Sequence, residues 1–260
     1  RFIGPPLAGL LLGLTSEALC FAINGLSFLA LVIGLLRIES RPPARATGSM
    51  GEVFKEGVAY VRHTWPVRTL ILTLAMVNLT ASAYAVLLPV FARDIFGGDA
   101  GTLGVIWGAA GCGAFLGTVF LAHQRGHGAL ASTVVVGSAI SAVSVAVFAL
   151  AGWMPLALVA MAGLGFGIST VNVAINMLLQ SMAPEALRGR VVSFFSSTRF
   201  GFDALGGLVA GLAAAWLGAR YTLVLEGAVL AGFVGLLLTW RHRLRAEVVA
   251  GHGSGGATGG

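Results

Sequence analysis

Charge is what this chain has least of. Asp, Glu, Lys and Arg together make up 10% of its 260 residues, against roughly 25% in soluble domains. So few charges cannot cover a water-facing surface, which excludes the one or two soluble domains that length alone suggests. Cysteine is scarce as well. Cys20 and Cys112 both lie in apolar runs with no Cys or His at ligand spacing, so neither a disulfide nor a metal site is implied and no cofactor is expected. Enzyme motifs are missing too. There is no Gly-x-Ser-x-Gly, no His-Glu-x-x-His and no glycine-rich phosphate loop ending in Lys, so neither a membrane enzyme nor an ATP-driven pump is expected. No basic, apolar, small-residue leader precedes the first apolar run, and the chain opens on Arg1; it reads as part of something longer.

What stands in place of charge is apolar surface. The apolar residues are 57% of the chain and glycine adds 38 more, far above the soluble share of about 45–50%. An all-α polytopic membrane protein is the class that fits. The net charge of +6 then reports basic loops on one side of a bilayer, and no nucleic-acid partner is implied.

The chain is organised around residues 155–217. From Pro155 to Met182 nothing is charged, and about 20 apolar residues suffice to cross a hydrocarbon core of about 30 Å. Within this helix Ser169, Asn172, Asn176 and Gln180 recur at steps of three and four, forming one polar stripe that must face other helices or a wet cavity. A basic turn comes next, 184–190, carrying Pro184, Glu185, Arg188, Gly189 and Arg190.

Taken in order, residues 2–14 are apolar but too short to span, and Gly4-Pro5-Pro6 interrupts them. Full spans are predicted at about 18–36, 69–91, 102–122, 130–151, 155–182, 191–216 and 221–240. Seven full helices and a truncated leading one result. The long polar stretch 37–68 holds six basic residues against three acidic ones, and its second half, 50–62, has the spacing of an amphipathic surface helix. The third span pairs glycines four apart, Gly104 with Gly108 and Gly113 with Gly117, a spacing that lets helices approach closely. Gly163/Gly167 and Gly207/Gly211 read the same way. The glycine-rich end cannot build a core. The chain therefore divides into 1–36, a remnant of a preceding half; 37–68, a basic linker; 69–245, a six-helix domain; and 246–260, a disordered tail.

Lys and Arg distribute unequally about these spans. One side receives six from the 37–68 stretch, Arg125, two from the 184–190 turn and three from Arg241 to Arg245, whereas the other receives Arg93 and Arg220. This bias predicts a cell-membrane protein with that side, and the C-terminus, in the cytoplasm.

At this point the residues match a known pattern. Pro-Glu-x-Leu-Arg-Gly-Arg-Val at 184–191, ahead of Gly201, Gly206, Gly207 and Gly211, resembles the loop and penultimate helix of the major facilitator superfamily. The nearest branch is that of the enterobactin-exporter-like and macrolide-efflux-like proteins. Leu88-Pro89-Val90-Phe91-Ala92-Arg93-Asp94 with Gly97-Gly98 is similar to the end of that group's seventh helix, and Gly4-Pro5 with Gly9 resembles the end of the antiporter motif on its fifth. Phe21, Asn24 and Ser27-Phe28 resemble its sixth. On this registration the spans are helices six to twelve. The cytoplasmic motif after the third span, 117–128, keeps a Gly, an Arg and a Gly but no Asp.

The resemblance implies a secondary-active exporter of a hydrophobic drug, macrolide-like compound or siderophore, working in a lipid bilayer by alternating access against missing N-terminal helices. The competing expectation is a truncated, non-transporting protein that serves as a scaffold or needs a partner half. The resemblance also puts Asn78, Ser82 and Tyr84 of the second span, with Ser169, Asn172, Asn176 and Gln180 of the fifth, on the substrate path. These amides equally suit a role tying helices together. Ionisable groups inside the bilayer are costly and point to function. Arg199 and Asp203 lie four apart and can form a neutral pair, or Asp203 can exchange protons; Glu226 is either protonated and structural or a proton-coupling carboxylate. Arg188 and Arg190 fix topology and latch the opposite half.

Overall fold

The structure is a computed structural model that describes residues 17–37, 58–59, 61–124, 126–183 and 187–253. Among these residues everything regular is helical. The order is α1 (Glu17–Leu36), α2 (Trp65–Val90), α3 (Ala100–Ala122), α4 (His127–Leu150), α5 (Met154–Met182), α6 (Arg188–Leu217) and α7 (Ala219–Gly253). The six helices from α2 onward are each long and apolar enough to cross a membrane. α1 is a helix of 20 residues, about 30 Å long at 1.5 Å per residue.

The helix ends obey local chemistry. Pro66 and Pro155 sit in the first turns of α2 and α5, where a missing N–H removes no helical hydrogen bond. Asp99 caps α3: its Oδ1 accepts from the Thr102 N–H at 3.0 Å while Thr102 Oγ1 accepts from the Asp99 N–H at 3.4 Å, a reciprocal capping box. That backbone N–H holds the Asp99 carboxyl below the ordinary aspartate range. Gly218, at φ +81° between α6 and α7, takes a conformation that a side chain would strain. Pro89 lies inside α2, and the helix widens just after it into one π-helical turn, Phe91–Ile95, where the Phe96 N–H reaches back to the Phe91 carbonyl at 3.0 Å. Proline removes a donor and crowds the turn before it, and a wider turn absorbs the misfit.

α5 is the central helix, packed mainly on α3 and α4; α7 lies on α4, and α2 lies chiefly on α6 and then α7. Two apolar cores result. One gathers Val67, Leu74, Val134, Ile175, Leu237 and Val248, the other Leu88, Phe91, Ile106, Phe148, Met161 and Leu223. Between them, at mid-height, runs a buried polar belt that includes Asn78, Thr80, Ser138, Ser141, Thr170 and Asn172. The Ser and Thr hydroxyls of the belt donate to carbonyls one turn back, so they are satisfied inside their own helices.

Close approach of α5 to its neighbours depends on glycine. A methyl group built on Gly113 or Gly165 would fall on the backbone carbonyl of Ala162 or Ala110, so α3 and α5 meet main chain to main chain. Gly163 makes room for the Ser144 side chain of α4, and Gly167 for the Ser141 side chain and the Gly137 carbonyl. On α6 the packing glycine is Gly206, against Leu79 and Ser82 of α2; Gly207 meets one Val86 methyl at 3.2 Å and Gly211 meets nothing within 4 Å. The expected Gly207/Gly211 seam is therefore displaced by one residue, because the register of α6 on α2 turns Gly211 outward.

Two boundaries also move. α2 begins at Trp65, four residues before the expected start, and α7 continues as a helix to Gly253, so 246–253 is not the disordered tail expected from composition. Buried Leu244 and Val248 explain the extension: they sit at helical spacing and dock on the bundle. Of the stretch 50–62, positions 58–59 and 61–62 are helical, and the remainder lies outside the described residues, as do residues 2–14 and Arg125.

Candidate functional site

A cavity of about 490 Å³ lies between α2, α3, α5 and α6, within the range of about 300–1,000 Å³ common for small-molecule sites. Its polar groups are Asn78, Ser169, Asn172, Arg199 and Asp203. Its apolar wall is formed by Tyr84, Trp107, Ile168 and Phe200, with Gly111 and Gly165 giving room. The Tyr84 and Trp107 rings lie 5.6 Å apart at 54°, a tilted aromatic pair across α2 and α3.

The polar face is ordered by one cross-helix bond. Asn78 Nδ2 donates to Asn172 Oδ1 at 3.1 Å and to the Leu74 carbonyl at 2.8 Å, while Asn172 Nδ2 donates to the Ile168 carbonyl at 2.9 Å. Both residues are about 95% buried. The pair thus ties α2 to α5 and lines the cavity. Ser169 lies 3.4 Å from Thr118 Oγ1 of α3.

Six of the expected residues meet here: Asn78, Tyr84, Ser169, Asn172, Arg199 and Asp203. The others do not. Ser82 is buried between α2 and α6, where its hydroxyl donates to the Leu79 carbonyl at 2.8 Å. Gln180 donates to Asn176 within α5, and the two satisfy each other off the cavity, because the polar stripe is longer than the cavity is deep. Glu226 is on α7, with one carboxyl oxygen buried and without a hydrogen-bond partner among the described residues.

Among the described residues Arg199 and Asp203 make no salt bridge with each other; Arg199 lies over the Phe200 ring at 5.3 Å, and Asp203 is exposed. Asp203 is the sixteenth of the thirty residues of α6, which puts it at mid-height without burying it. Arg188, Gly189 and Arg190 form the first turn of α6 instead of a free loop, and Pro184 and Glu185 lie outside the described residues. Trp107 and Phe200 were not expected in the site. An aromatic in an apolar span carries no mark of whether it meets lipid or ligand.

The family described as transmembrane secretion effector, MFS_3, matches residues 1–252. The chain belongs to this family of the major facilitator superfamily. The multidrug efflux pump Tap of Mycolicibacterium fortuitum is similar to it, 29% identical over an alignment of 222 residues that covers 80% of this chain and 52% of the pump. The chain thus spans about half the length of the curated relative it matches. A multi-pass helical membrane protein accords with the family.

Proposed function

We propose that this chain supplies the cavity-bearing six-helix half of a secondary-active exporter for mostly apolar small molecules. The observation that carries the reading is the cavity itself, in which one amide pair, Asn78–Asn172, faces aromatic and aliphatic walls. Such a lining removes apolar surface from water and offers few hydrogen bonds, which suits a large, weakly polar solute. Similarity to a multidrug efflux pump supports drug-like compounds as the substrates.

Proton coupling is assigned to Asp203, the exposed carboxylate at mid-height of α6 that lines the cavity, with Glu226 as a second candidate. α6 is the spanning helix least covered by the bundle, the surface a complementary half would pack on: 11% of its apolar window is buried, and Phe200, Leu205, Leu208 and Leu212 are exposed. The basic ends lie in the cytoplasm and the C-terminus with them.

The test is accumulation of a lipophilic fluorescent substrate in efflux-deficient cells expressing the full transporter. Asn172→Leu is expected to weaken export of that substrate, and Asp203→Asn to abolish its dependence on the proton gradient while the protein still reaches the membrane. Full gradient-driven efflux by the Asp203→Asn protein would reject the role of Asp203, and unaltered substrate range in Asn172→Leu would reject the cavity as the binding site.

A further inference from the structure

α7 is longer than a bilayer requires. Its 35 residues run about 52 Å at helical rise, against a hydrocarbon core of about 30 Å. Counted from Ala219, about 20 residues reach Trp240, so residues 241–253 lie at headgroup level and beyond. A second observation marks the same level. Trp240 meets Trp65, at the start of α2, edge to face with ring centroids 6.1 Å apart, and indoles at helix ends favour the membrane–water boundary.

Beyond Trp240 the helix is held in place. Leu244 and Val248 are 1% and 0% exposed and join the core that contains Val67 and Leu130. Bordering that buried stripe, at steps of three from Leu244 and Val248, are Arg241 and Arg245, both exposed, while α2 brings exposed Arg68 one turn from Trp65. Arg243 lies 4.2 Å over the Trp65 ring, and its Nε donates to Glu247 Oε1 at 2.7 Å. The carboxylate that α7 places here is thus already engaged. Arg245 runs along the start of α4, with its Nε 3.2 Å from where a methyl on Gly128 would sit, and the positive end of that helix dipole adds to the local field.

We propose that this rim, formed by the ends of α2, α4 and α7, binds the phosphate of an anionic phospholipid. Arg241, Arg245 and Arg68 hold the headgroup, and the Trp65–Trp240 pair lies against the glycerol and upper acyl chain. Basic clusters between helix ends at headgroup level recognise anionic lipids by charge. Buried Leu244 and Val248 fix the helix that carries Arg241 and Arg245, so no backbone has to be ordered for this recognition. The inference rests on the chain spanning a bilayer and not on what it transports.

The test uses Trp65 and Trp240 as reporters, in the chain carrying Trp107→Phe, Trp153→Phe and Trp216→Phe, reconstituted in phosphatidylcholine vesicles. Brominated phosphatidylglycerol or brominated phosphatidylcholine is titrated in and indole quenching is monitored. Phosphatidylglycerol is expected to quench at a mole fraction about tenfold lower. Arg241→Gln with Arg245→Gln is expected to bring the two lipids within about twofold, and Arg241→Lys with Arg245→Lys to keep most of the preference, since the charge remains. Equal quenching by both lipids in the parent chain, or a preference that survives the double Gln substitution, would overturn the proposal. So would loss of the preference in inorganic phosphate but not in potassium chloride of equal ionic strength, because the site would then belong to the free anion.

Discussion

α5 and α6 are neighbours in sequence, 29 and 30 residues long, and both are apolar enough to span a membrane. Yet 56% of the most apolar window of α5 is buried in the bundle, against 11% for α6. Hydropathy reports only that a segment leaves water. Whether it then meets protein or lipid depends on how closely other backbones can approach it. α5 admits them on two sides, through Gly165 toward α3 and Gly163 and Gly167 toward α4, whereas α6 rests on α2 along one line at Gly206. Polar groups show the same division. Asn172 on α5 is buried and bonded across helices; Asp203 on α6 is exposed.

The contrast is broken most severely at the glycines. Gly165→Leu forces a side chain onto the Ala110 main chain, which cannot yield as a side-chain tip can, so a loss of about 3 kcal/mol or more is expected. Gly211→Leu on α6 meets open space and should change stability by less than about 0.5 kcal/mol. Thermal unfolding of the two variants in one detergent measures both; equal losses would refute the division between a buried and a free helix.

The amide bond comes next. In a double-mutant cycle, Asn78→Leu and Asn172→Leu are expected to couple by about 0.6 to 1.7 kcal/mol, the span of such bonds within membranes. Asp203→Asn, by contrast, should leave stability unchanged to within about 0.5 kcal/mol while it removes gradient-driven transport. A stability loss in Asp203→Asn comparable to that of Asn172→Leu would mean that α6 carries structural polarity after all.

The smallest effect lies off both helices. The folded pKa of Asp99 is depressed, through the Thr102 N–H. Its contribution is therefore fully present above the ordinary aspartate value of about 3.9 and is lost as pH falls through the lower folded value. Asp99→Asn should flatten that acid limb in a series of melts from pH 5 downward, and an unchanged limb would show that the cap carries no charge-dependent stability.

Much of this architecture was legible from the chain. Uncharged runs of spanning length located each helix from α2 to α6 to within a few residues, since in lipid an unpaired backbone group is costly and helix is the way a single segment satisfies itself. Regular spacing placed Ser169 and Asn172 on one face. It also placed Asn176 and Gln180 there, and the structure separates them, because a helical stripe has no signal for where along its length a cavity stops. Trp107 and Phe200 were hidden by the uniform apolarity of their spans. The end of α7 was obscured by composition: glycine suggests a tail, but Leu244 and Val248 dock and carry the helix on.

The class, the number of spans from α2 onward and the uneven distribution of basic residues are all readable from residue order, because they depend on transfer between water and hydrocarbon, a property of each segment alone. Other outcomes emerge only when the helices meet: which glycine lets two of them touch, and that Asn78 reaches Asn172. Those depend on the rotation and register of one helix against another, set by side-chain volumes on both, and no single segment contains them.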